Sequence, residues 1–300
     1  MIELRHLRCF LGIAKERTIS QAAASLYISQ PALSRTLQEL EDELGQQLIV
    51  RAKPLRLTPK GELLRERAQT IVDLMDKLKQ EVGVDSGELV GTITIAAGES
   101  PAVSFLAHCF HRLKQRAPKI NFDLKSGNEN YVTRSLDSGI ADFGILIASP
   151  QASRYEHLIL PARDSWQVFI PAEMPLANKP RITADDLADL PIIISAQALD
   201  NNEFSGWLGP IKERLHLVGT YNLPYNGYVF ARENRLAMLA LDGLIQVQDG
   251  DGLVSRPLYP PLDAQLHLVW RSGVYSSDLC NAYLSEIRQS LSRGLPTALG

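Results

Sequence analysis

Arg35 and Gln38 lie three residues apart in a segment with a helical pattern, and both could form hydrogen bonds with DNA bases. Arginine can donate two hydrogen bonds to a guanine edge, and glutamine can pair with an adenine edge, in the major groove. Pro31, Ala32 and Ser34 lie on or beside the same helical face. Small residues there allow a helix to approach the bases closely. This set predicts a helix that reads double-stranded DNA.

The helix that carries these residues has clear start and stop signals. Ser29 can cap it, Pro31 is tolerated in the first turn, and Gly45 ends it. Acidic residues crowd its far end, so the half that faces the groove should be the N-terminal one. Four leucines recur at spacings of 4, 3 and 4 and predict an apolar stripe that faces a core: Leu33, Leu37, Leu40 and Leu44.

A shorter helix should precede this one. Thr18 and Ser20 can accept hydrogen bonds from its first turn, and the chain should turn at Tyr27 and Ile28. Its predicted buried face consists of Ala22, Ala23 and Leu26. Two short helices joined by a tight turn are typical of a helix-turn-helix.

A basic hairpin should follow, with strand-like pieces at 47–51 and 55–58 joined by a turn that holds Lys53 and Pro54. Residues 51–60 contain four basic side chains and no acid, which suits contact with phosphates. A basic hairpin alone could equally be a solvated loop, but its position behind a helix-turn-helix favours a DNA-binding wing. The candidate DNA-contacting residues are Ser20, Gln21, Ser29, Gln30, Pro31, Ala32, Ser34, Arg35, Gln38, Arg51, Lys53 and Arg56.

The segment from Ile2 to Gly61 resembles the N-terminal domain of the LysR-type transcriptional regulators. The runs SQPALSR at 29–35 and LEDELG at 40–45 carry the resemblance. One departure is Ile49, where the family usually has a phenylalanine beneath the wing. The resemblance implies a winged helix-turn-helix that binds promoter or operator DNA.

Bulk composition supports a reduced, intracellular location. The net charge is −3, but residues 1–60 hold nine basic and six acidic residues, so the end that would contact DNA is positive. Cys9, Cys109 and Cys280 are far apart and form no CxxC pair. The start of the chain has no signal-peptide pattern, and no stretch approaches the ~18 apolar residues of a membrane span. We expect a soluble, cytoplasmic protein without a membrane partner.

A long helix should run from Pro59 to about Val84, with a linker at 83–87. It carries an unbroken heptad pattern at Leu64, Ala68, Ile71, Met75, Leu78 and Val82. This stripe could pack on its own domain or against a second copy of the chain. The family resemblance implies pairing through this helix into dimers and often tetramers, so that two recognition helices read two half-sites.

Residues 89–300 alternate strand and helix patterns, which predicts two α/β lobes. This order resembles the LysR effector domain, which is similar to periplasmic-type solute-binding folds. The predicted strands are 93–97, 120–126, 142–147, 166–171, 191–195, 243–247 and 266–270, and the predicted helices are 101–116, 131–139, 182–190 and 276–291. The predicted domains are a winged helix-turn-helix at 1–58, a linker helix and hinge at 59–88, and an effector domain whose first lobe is 89–161 with 267–300 and whose second is 162–266.

Small molecules bind α/β lobes outside the carboxyl ends of strands, often at helix N-termini. Seven candidates follow strands or lie in later loops: Ser100, Pro101, Asn128, Ser195, Gln197, Tyr221 and Asn226. Each could instead serve only as a local cap, but the resemblance implies an effector role for Ser100, Asn128 and Ser195. We expect a small, polar effector. An anionic one is allowed, although Glu99 would oppose it if it were highly charged. Arg232–Arg235 replaces a Gly-rich turn that is common in the family.

Catalysis has no support in the sequence, because GxSxG, GxxxxGK[ST], GxGxxG and HExxH are all missing. His108, Cys109 and His111 are close together, but two ligands on one helix do not make a zinc site. We therefore expect no enzyme activity, metal or cofactor. The partners expected are DNA, an effector and a second copy of the chain, with RNA polymerase as a further candidate. The alternative is an intracellular small-molecule-binding protein with only nonspecific DNA affinity.

Overall fold

A computed structural model describes residues 1–82, 88–147, 153–248, 250–273 and 276–293. The chain divides into two compact units, Met1–Val84 and Asp85–Gly300. The predicted linker at 83–87 lies outside the described residues. The predicted domain limits remain a proposal.

The N-terminal unit has four helices and a two-stranded hairpin. In chain order these are α1 (Leu4–Glu16), α2 (Ile19–Ser25), α3 (Gln30–Leu44), β1 (Ile49–Val50), β2 (Arg56–Leu57) and α4 (Pro59–Val82). Helix α1 was not among the predicted elements; its Phe10 and Ile13 are each only 1% exposed. These side chains pack with Ala22, Leu33 and Leu40 in one apolar cluster. Burial of that cluster holds α2 and α3 in place.

The caps of α2 and α3 follow the sequence pattern, with two corrections. The Thr18 side chain accepts a hydrogen bond from the Gln21 N–H, and the Ser29 side chain accepts one from the Ala32 N–H. Ser20, expected to be a second cap, lies inside α2 because Thr18 already occupies the cap position. Leu44 is 36% exposed, because α3 ends at Gly45 with a left-handed backbone, beyond the reach of the core.

The hairpin that forms the wing is shorter than predicted, and hydrogen bonds connect it to α3. Ile49 pairs with Leu57, and Val50 pairs with Arg56. The Glu41 carboxylate accepts hydrogen bonds from the backbone N–H groups of Leu48 (2.7 Å) and Ile49 (3.1 Å). Ile49 is 3% exposed, so it fills the anchor position beneath the hairpin despite being smaller than phenylalanine.

Helix α4 divides its heptad stripe between two environments. Ala68 is fully buried and packs with Leu7 of α1, and Leu64 is partly buried beside them. Ala68 therefore cannot contact a second copy as we predicted, because its own domain covers it. Farther along, Ile71, Leu78 and Val82 are 47%, 50% and 75% exposed.

The second unit contains the remaining helices and strands. They are β3 (Gly91–Ala97), α5 (Val103–Arg116), β4 (Ile120–Ser126), α6 (Glu129–Asp137), β5 (Phe143–Leu146), β6 (Tyr155–Pro171), β7 (Pro191–Ser195), α7 (Ala196–Asp200), α8 (Ser205–Leu208), β8 (His216–Tyr221), α9 (Pro224–Asn234), β9 (Ala237–Leu241), β10 (Leu253–Pro257), β11 (Asp263–Arg271) and α10 (Asp278–Ser292). Short 3₁₀ helices lie at Pro175–Asn178, Asp185–Leu187 and Gly209–Arg214.

Two long strands, β6 and β11, connect the lobes. The strand order is β4-β3-β5-β11-β6-β9-β7-β8, with β10 beside β6. Strand β6 pairs with β11 from Tyr155 to Ser165 and with β9 from Trp166 to Phe169. One strand therefore passes continuously from the first lobe into the second. Parallel pairs β3–β4, β3–β5, β7–β8 and β7–β9 place the carboxyl ends of their strands at common edges.

Several predicted elements in this unit need correction. Residues 243–247 are not a strand, because Gly243 has φ +76° and turns the chain; the strand is the fully buried run Ala237–Leu241. The helix predicted at 182–190 is only the 3₁₀ helix Asp185–Leu187. The Asp186 carboxylate there accepts hydrogen bonds from the backbone N–H and hydroxyl of Thr183. We did not predict β8, α9 or β10.

Candidate DNA-binding surface and effector cleft

The twelve candidate DNA-contacting residues are all exposed. They come from α2, α3 and the wing. Helix α3 divides sharply, since Leu33 and Leu40 are at most 1% exposed while Arg35 is 82% exposed. The leucine stripe therefore fixes which side of α3 is turned outward.

Arg35 is available to a base despite its ion pair. Its Nε donates to Glu39 Oε1 at 3.1 Å, one helical turn away, and both side chains are well exposed. Exposed pairs of this kind contribute about 0.3–0.5 kcal/mol, so a bidentate guanine contact can readily replace this one. Tyr27, which we had treated only as a turn residue, is 96% exposed directly before α3 and has φ +55°. Tyr27 was not among the predicted DNA-contacting residues; the feature of the sequence that could have pointed to it is an aromatic residue at a predicted turn.

A cleft lies between the two lobes of the second unit. Its space for water-sized molecules is about 60 Å³. Of our seven candidates, four line it: Ser100, Ser195, Gln197 and Tyr221. Residues that we did not predict also line it, among them Glu129, Trp166 and Glu203.

The other three candidates are not among the described lining residues. Asn128 caps α6, since its Oδ1 accepts a hydrogen bond from the Tyr131 N–H at 3.0 Å. Pro101 lies against Gly243, where an added Cβ would be 3.1 Å from the proline Cγ. Asn226 lies within α9. These local contacts give Asn128 and Pro101 a structural role that needs no ligand.

Hydrogen bonds fix the polar side chains of the cleft. The Ser100 hydroxyl donates to the buried Asp164 carboxylate, and its oxygen accepts from the Ala102 N–H at 3.0 Å. The Tyr221 hydroxyl donates to the Leu239 carbonyl at 2.6 Å. These hydrogen bonds hold the Ser100 and Tyr221 side chains in place without a ligand.

Two carboxyl groups at the cleft have raised pKa values. Burial, reinforced by the negative charge of Glu129, raises the pKa of Glu203 to about 7, although the Asn201 and Trp166 side chains oppose this shift. Glu203 Oε1 is buried and has no hydrogen-bond partner among the described residues. Burial also raises the pKa of Asp164, with Asp242 adding to the shift and the Ser100 hydrogen bond opposing it.

Two family models cover nearly the whole chain. Residues 4–62 match the bacterial regulatory helix-turn-helix protein, lysR family, and residues 86–292 match the LysR substrate binding domain. The chain belongs to the LysR family of transcriptional regulators. This confirms the predicted fold class, a winged helix-turn-helix followed by a two-lobed α/β effector domain.

Individual relatives agree with this LysR assignment. The uncharacterized HTH-type regulator YnfL of Escherichia coli (strain K12) is 30% identical over 221 residues, 72% of this chain and 73% of YnfL. The uncharacterized HTH-type regulator YvbU of Bacillus subtilis (strain 168) is 28% identical over 193 residues, 64% of this chain and 65% of YvbU, just under two thirds of its length. The LysR family regulator CbnR shares the fold, with a TM-score of 0.76, 16% identity and coverage of 96% and 99%; it has also been solved with its target DNA.

The departure of this LysR-family chain at Arg232–Arg235 lies at the end of α9. Arg235 adopts the left-handed conformation (φ +54°) that glycine usually takes after a helix, and the Leu236 N–H bonds the Ala231 carbonyl. Pro224, at the start of α9, lines the cleft. The eleven residues of α9 span about 16 Å, and the departure lies at the opposite end of the helix from Pro224.

The structure of this LysR-family chain also describes its cysteines, its potential metal ligands and the apolarity of its helices. Cys9, Cys109 and Cys280 are free and buried. The described residues contain no group of three or more His, Cys, Asp or Glu that could hold a metal ion, His108 and His111 included. None of the helices described is both long and apolar enough to cross a membrane.

The raised pKa of Glu203 predicts a pH-dependent stability. The pKa of Glu203 is about 7 in the folded state against an ordinary 4.5. The folded state therefore keeps this proton to a higher pH than the unfolded state does, and the free energy of unfolding falls as pH rises from about 4.5 to 7. We expect Glu203→Gln to raise the melting temperature of the second unit by roughly 5 °C at pH 8 and to leave it unchanged at pH 4. Thermal unfolding of the full chain across this range measures the effect. Parallel curves for the two proteins would contradict it.

Proposed function

We propose that this LysR-family regulator reads its operator with the N-terminal half of α3, where Arg35 and Gln38 contact bases, while the wing holds phosphates. The observation that carries the proposal is the division of α3 into a buried leucine stripe and an exposed polar side. Arg51, Lys53 and Arg56 place positive charge on the exposed wing. CbnR, which shares this fold, was solved in complex with its target DNA.

The proposed assembly is a dimer through α4, with tetramers as the family resemblance implies. Ile71, Leu74, Leu78 and Val82 follow spacings of three and four residues and are each at least 36% exposed. Such an apolar stripe on one helix is stabilised by a second copy. Two paired units would present two copies of α3 to the two halves of an operator.

The proposed response is a change in DNA binding when a small molecule occupies the cleft. Ser100, Ser195, Gln197 and Tyr221 are its proposed contacts because they line the cleft. We infer no enzymatic role and no cofactor, and we place the protein in the cytoplasm together with its DNA. RNA polymerase remains a candidate partner of the DNA-bound form.

A footprint on the DNA upstream of its own and neighbouring genes tests this function, and Arg35→Ala sharpens the test. We expect the variant to lose about 1–3 kcal/mol of operator binding and to relax its preference at one base position. Footprints and binding curves on operator and random DNA measure both effects.

Arg67→Ala provides the matched control, since it removes an exposed arginine from α4 instead of α3. It should leave sequence preference unchanged. Equal loss on operator and random DNA for Arg35→Ala would show that Arg35 holds only phosphate. Unlocalised protection by the unaltered protein would favour the alternative, a small-molecule-binding protein with nonspecific DNA affinity.

A further inference from the structure

The cleft is lined by acids. Glu99, Glu129 and Glu203 all line it, and none of its described lining residues is Lys, Arg or His. Glu99 is exposed at the rim, while Glu129 and Glu203 are partly buried. An anionic ligand entering this space would meet like charges without a counter-charge, which makes its binding unfavourable.

Three hydrogen-bond donors at the cleft that could bind an anion are already engaged. The Ser100 and Tyr221 hydroxyls donate to Asp164 and to the Leu239 carbonyl. Helix N-termini normally attract anions through free N–H groups. Here the Glu129 N–H, at the start of α6, donates to the Gln197 side-chain oxygen at 2.9 Å.

What the cleft offers instead is acceptors. Glu203 Oε1 is buried without a hydrogen-bond partner among the described residues, an arrangement that is costly unless a ligand satisfies it. The Asn201 amide donates to Oε2 of Glu129, and among the described residues no hydrogen bond to the other oxygen of that carboxylate is found. Both carboxylates belong to residues that line the same cleft.

An aromatic side chain adds a second kind of attraction for positive charge. Trp166 lines the cleft and is 4% exposed. Its ring packs edge-on against Phe204, with centroids 4.7 Å apart, which fixes its orientation. Tryptophan is the ring that attracts a nearby cation most strongly, and desolvation increases that attraction.

We propose that the effector is a small organic cation with an ammonium or guanidinium group, held by the carboxylates of Glu129 and Glu203 beside Trp166. This inference rests on the proposed function of the cleft as the effector site, and it replaces the anionic effector that the sequence allowed. Ser100 and Tyr221 then act as acceptors of ligand N–H groups, because their own protons are engaged.

Binding of such a cation should strengthen as pH rises from about 6 to 8. Glu203 must be ionised to pair with it, and burial together with Glu129 raises the pKa of this carboxyl to about 7. The groups that face Glu203 are Glu129 of α6, Trp166 of β6, Tyr221 of β8 and Asn201. Tyr221 stays neutral in this range because burial raises its pKa. Glu203→Gln should remove the pH dependence.

The experiment compares three four-carbon probes that differ in charge: putrescine, butane-1,4-diol and succinate. Agmatine and L-arginine extend the cationic set. We expect calorimetry on the full chain at pH 8 to give at least one cation a Kd below about 1 mM, while the diol and succinate do not bind. Glu203→Gln and Glu129→Gln should each weaken the cation about tenfold or more. Glu213→Gln, at an exposed position in Gly209–Arg214, removes the same charge outside the cleft and should have no effect.

Footprints recorded on the same samples distinguish a failure of the cationic effector from a failure of the proposed regulator function. An operator footprint that only succinate alters, or cation binding that neither cleft variant weakens, would overturn the cationic effector and leave the regulator function intact. Failure of all three cations to bind at about 10 mM would also overturn it. Loss of localised protection in every sample would instead contradict the proposed function itself.

Discussion

Replacing Leu78 with glutamate will turn the proposed dimer into a monomer and lower operator affinity by about 100-fold or more. Leu78 is 50% exposed on α4, between the exposed Leu74 and Val82. In a paired helix its position would be buried, and a buried carboxylate without a partner is strongly unfavourable. The fold of one copy should survive, because nothing in its own domain covers most of this side chain. Light scattering measures the mass, and binding curves measure the affinity.

Gln69→Glu is the control for this change. Gln69 lies nine residues before Leu78, about 180° away around the helix at 100° per residue, and it is exposed. It adds the same charge to the opposite face, so the protein should stay dimeric. If Leu78→Glu also remains a dimer with normal operator binding, α4 is not the dimer contact.

Gly61→Ala will destabilise the N-terminal unit by about 3 kcal/mol or more and abolish operator binding. A Cβ on Gly61 would lie 2.1 Å from the carbonyl oxygen of Leu48, which is backbone and cannot rotate away. Leu48 is itself held, since its N–H bonds Glu41 and its carbonyl accepts from the Thr58 N–H. The clash can be relieved only if α4 or the wing moves. Denaturation curves and gel shifts measure the two effects.

Gly206→Ala provides the matched substitution at a site with room. A Cβ there meets nothing within 4 Å, and the residue lies in α8. We expect unchanged stability within about 0.5 kcal/mol and normal operator binding, because alanine fits a helix better than glycine does. If Gly61→Ala and the unaltered protein were equally stable, the wing would be able to move away from the added Cβ without a loss of stability, which would contradict the prediction.

The amino-acid sequence determined the helix-turn-helix because its signals are local. Thr18, Ser29 and Gly45 begin and end helices through contacts within a few residues, and the leucine spacing of α3 decides its buried side. The same local patterns predicted β3, β4, β7 and the strand β11 within a few residues. The resemblance to the LysR family rests on these same residues, and the family models confirm it.

Where packing partners come from distant segments, the sequence pattern was insufficient. The heptad of α4 is continuous in sequence, yet Ala68 packs on α1 while Leu78 faces outward. Periodicity predicts that one side of a helix is apolar, but it does not say which neighbour covers each part of that side. Strand β9 was misplaced for a similar reason, since Ala237–Leu241 is a strand because it lies between β6 and β7.

The charge of the cleft was decided by the tertiary structure alone. Glu129 begins a helix in one lobe, Glu203 follows a short helix in the other, and Trp166 lies on the strand that joins the lobes. In the sequence each is an ordinary acid or aromatic residue, because more than 30 positions separate one from the next. The sequence by itself determined that the protein has a helix-turn-helix and two α/β lobes, since local spacing encodes secondary structure. Only the folding of the two lobes around the cleft brought Glu129 and Glu203 together and raised the pKa of Glu203, because burial and neighbouring charge exist only in the folded chain.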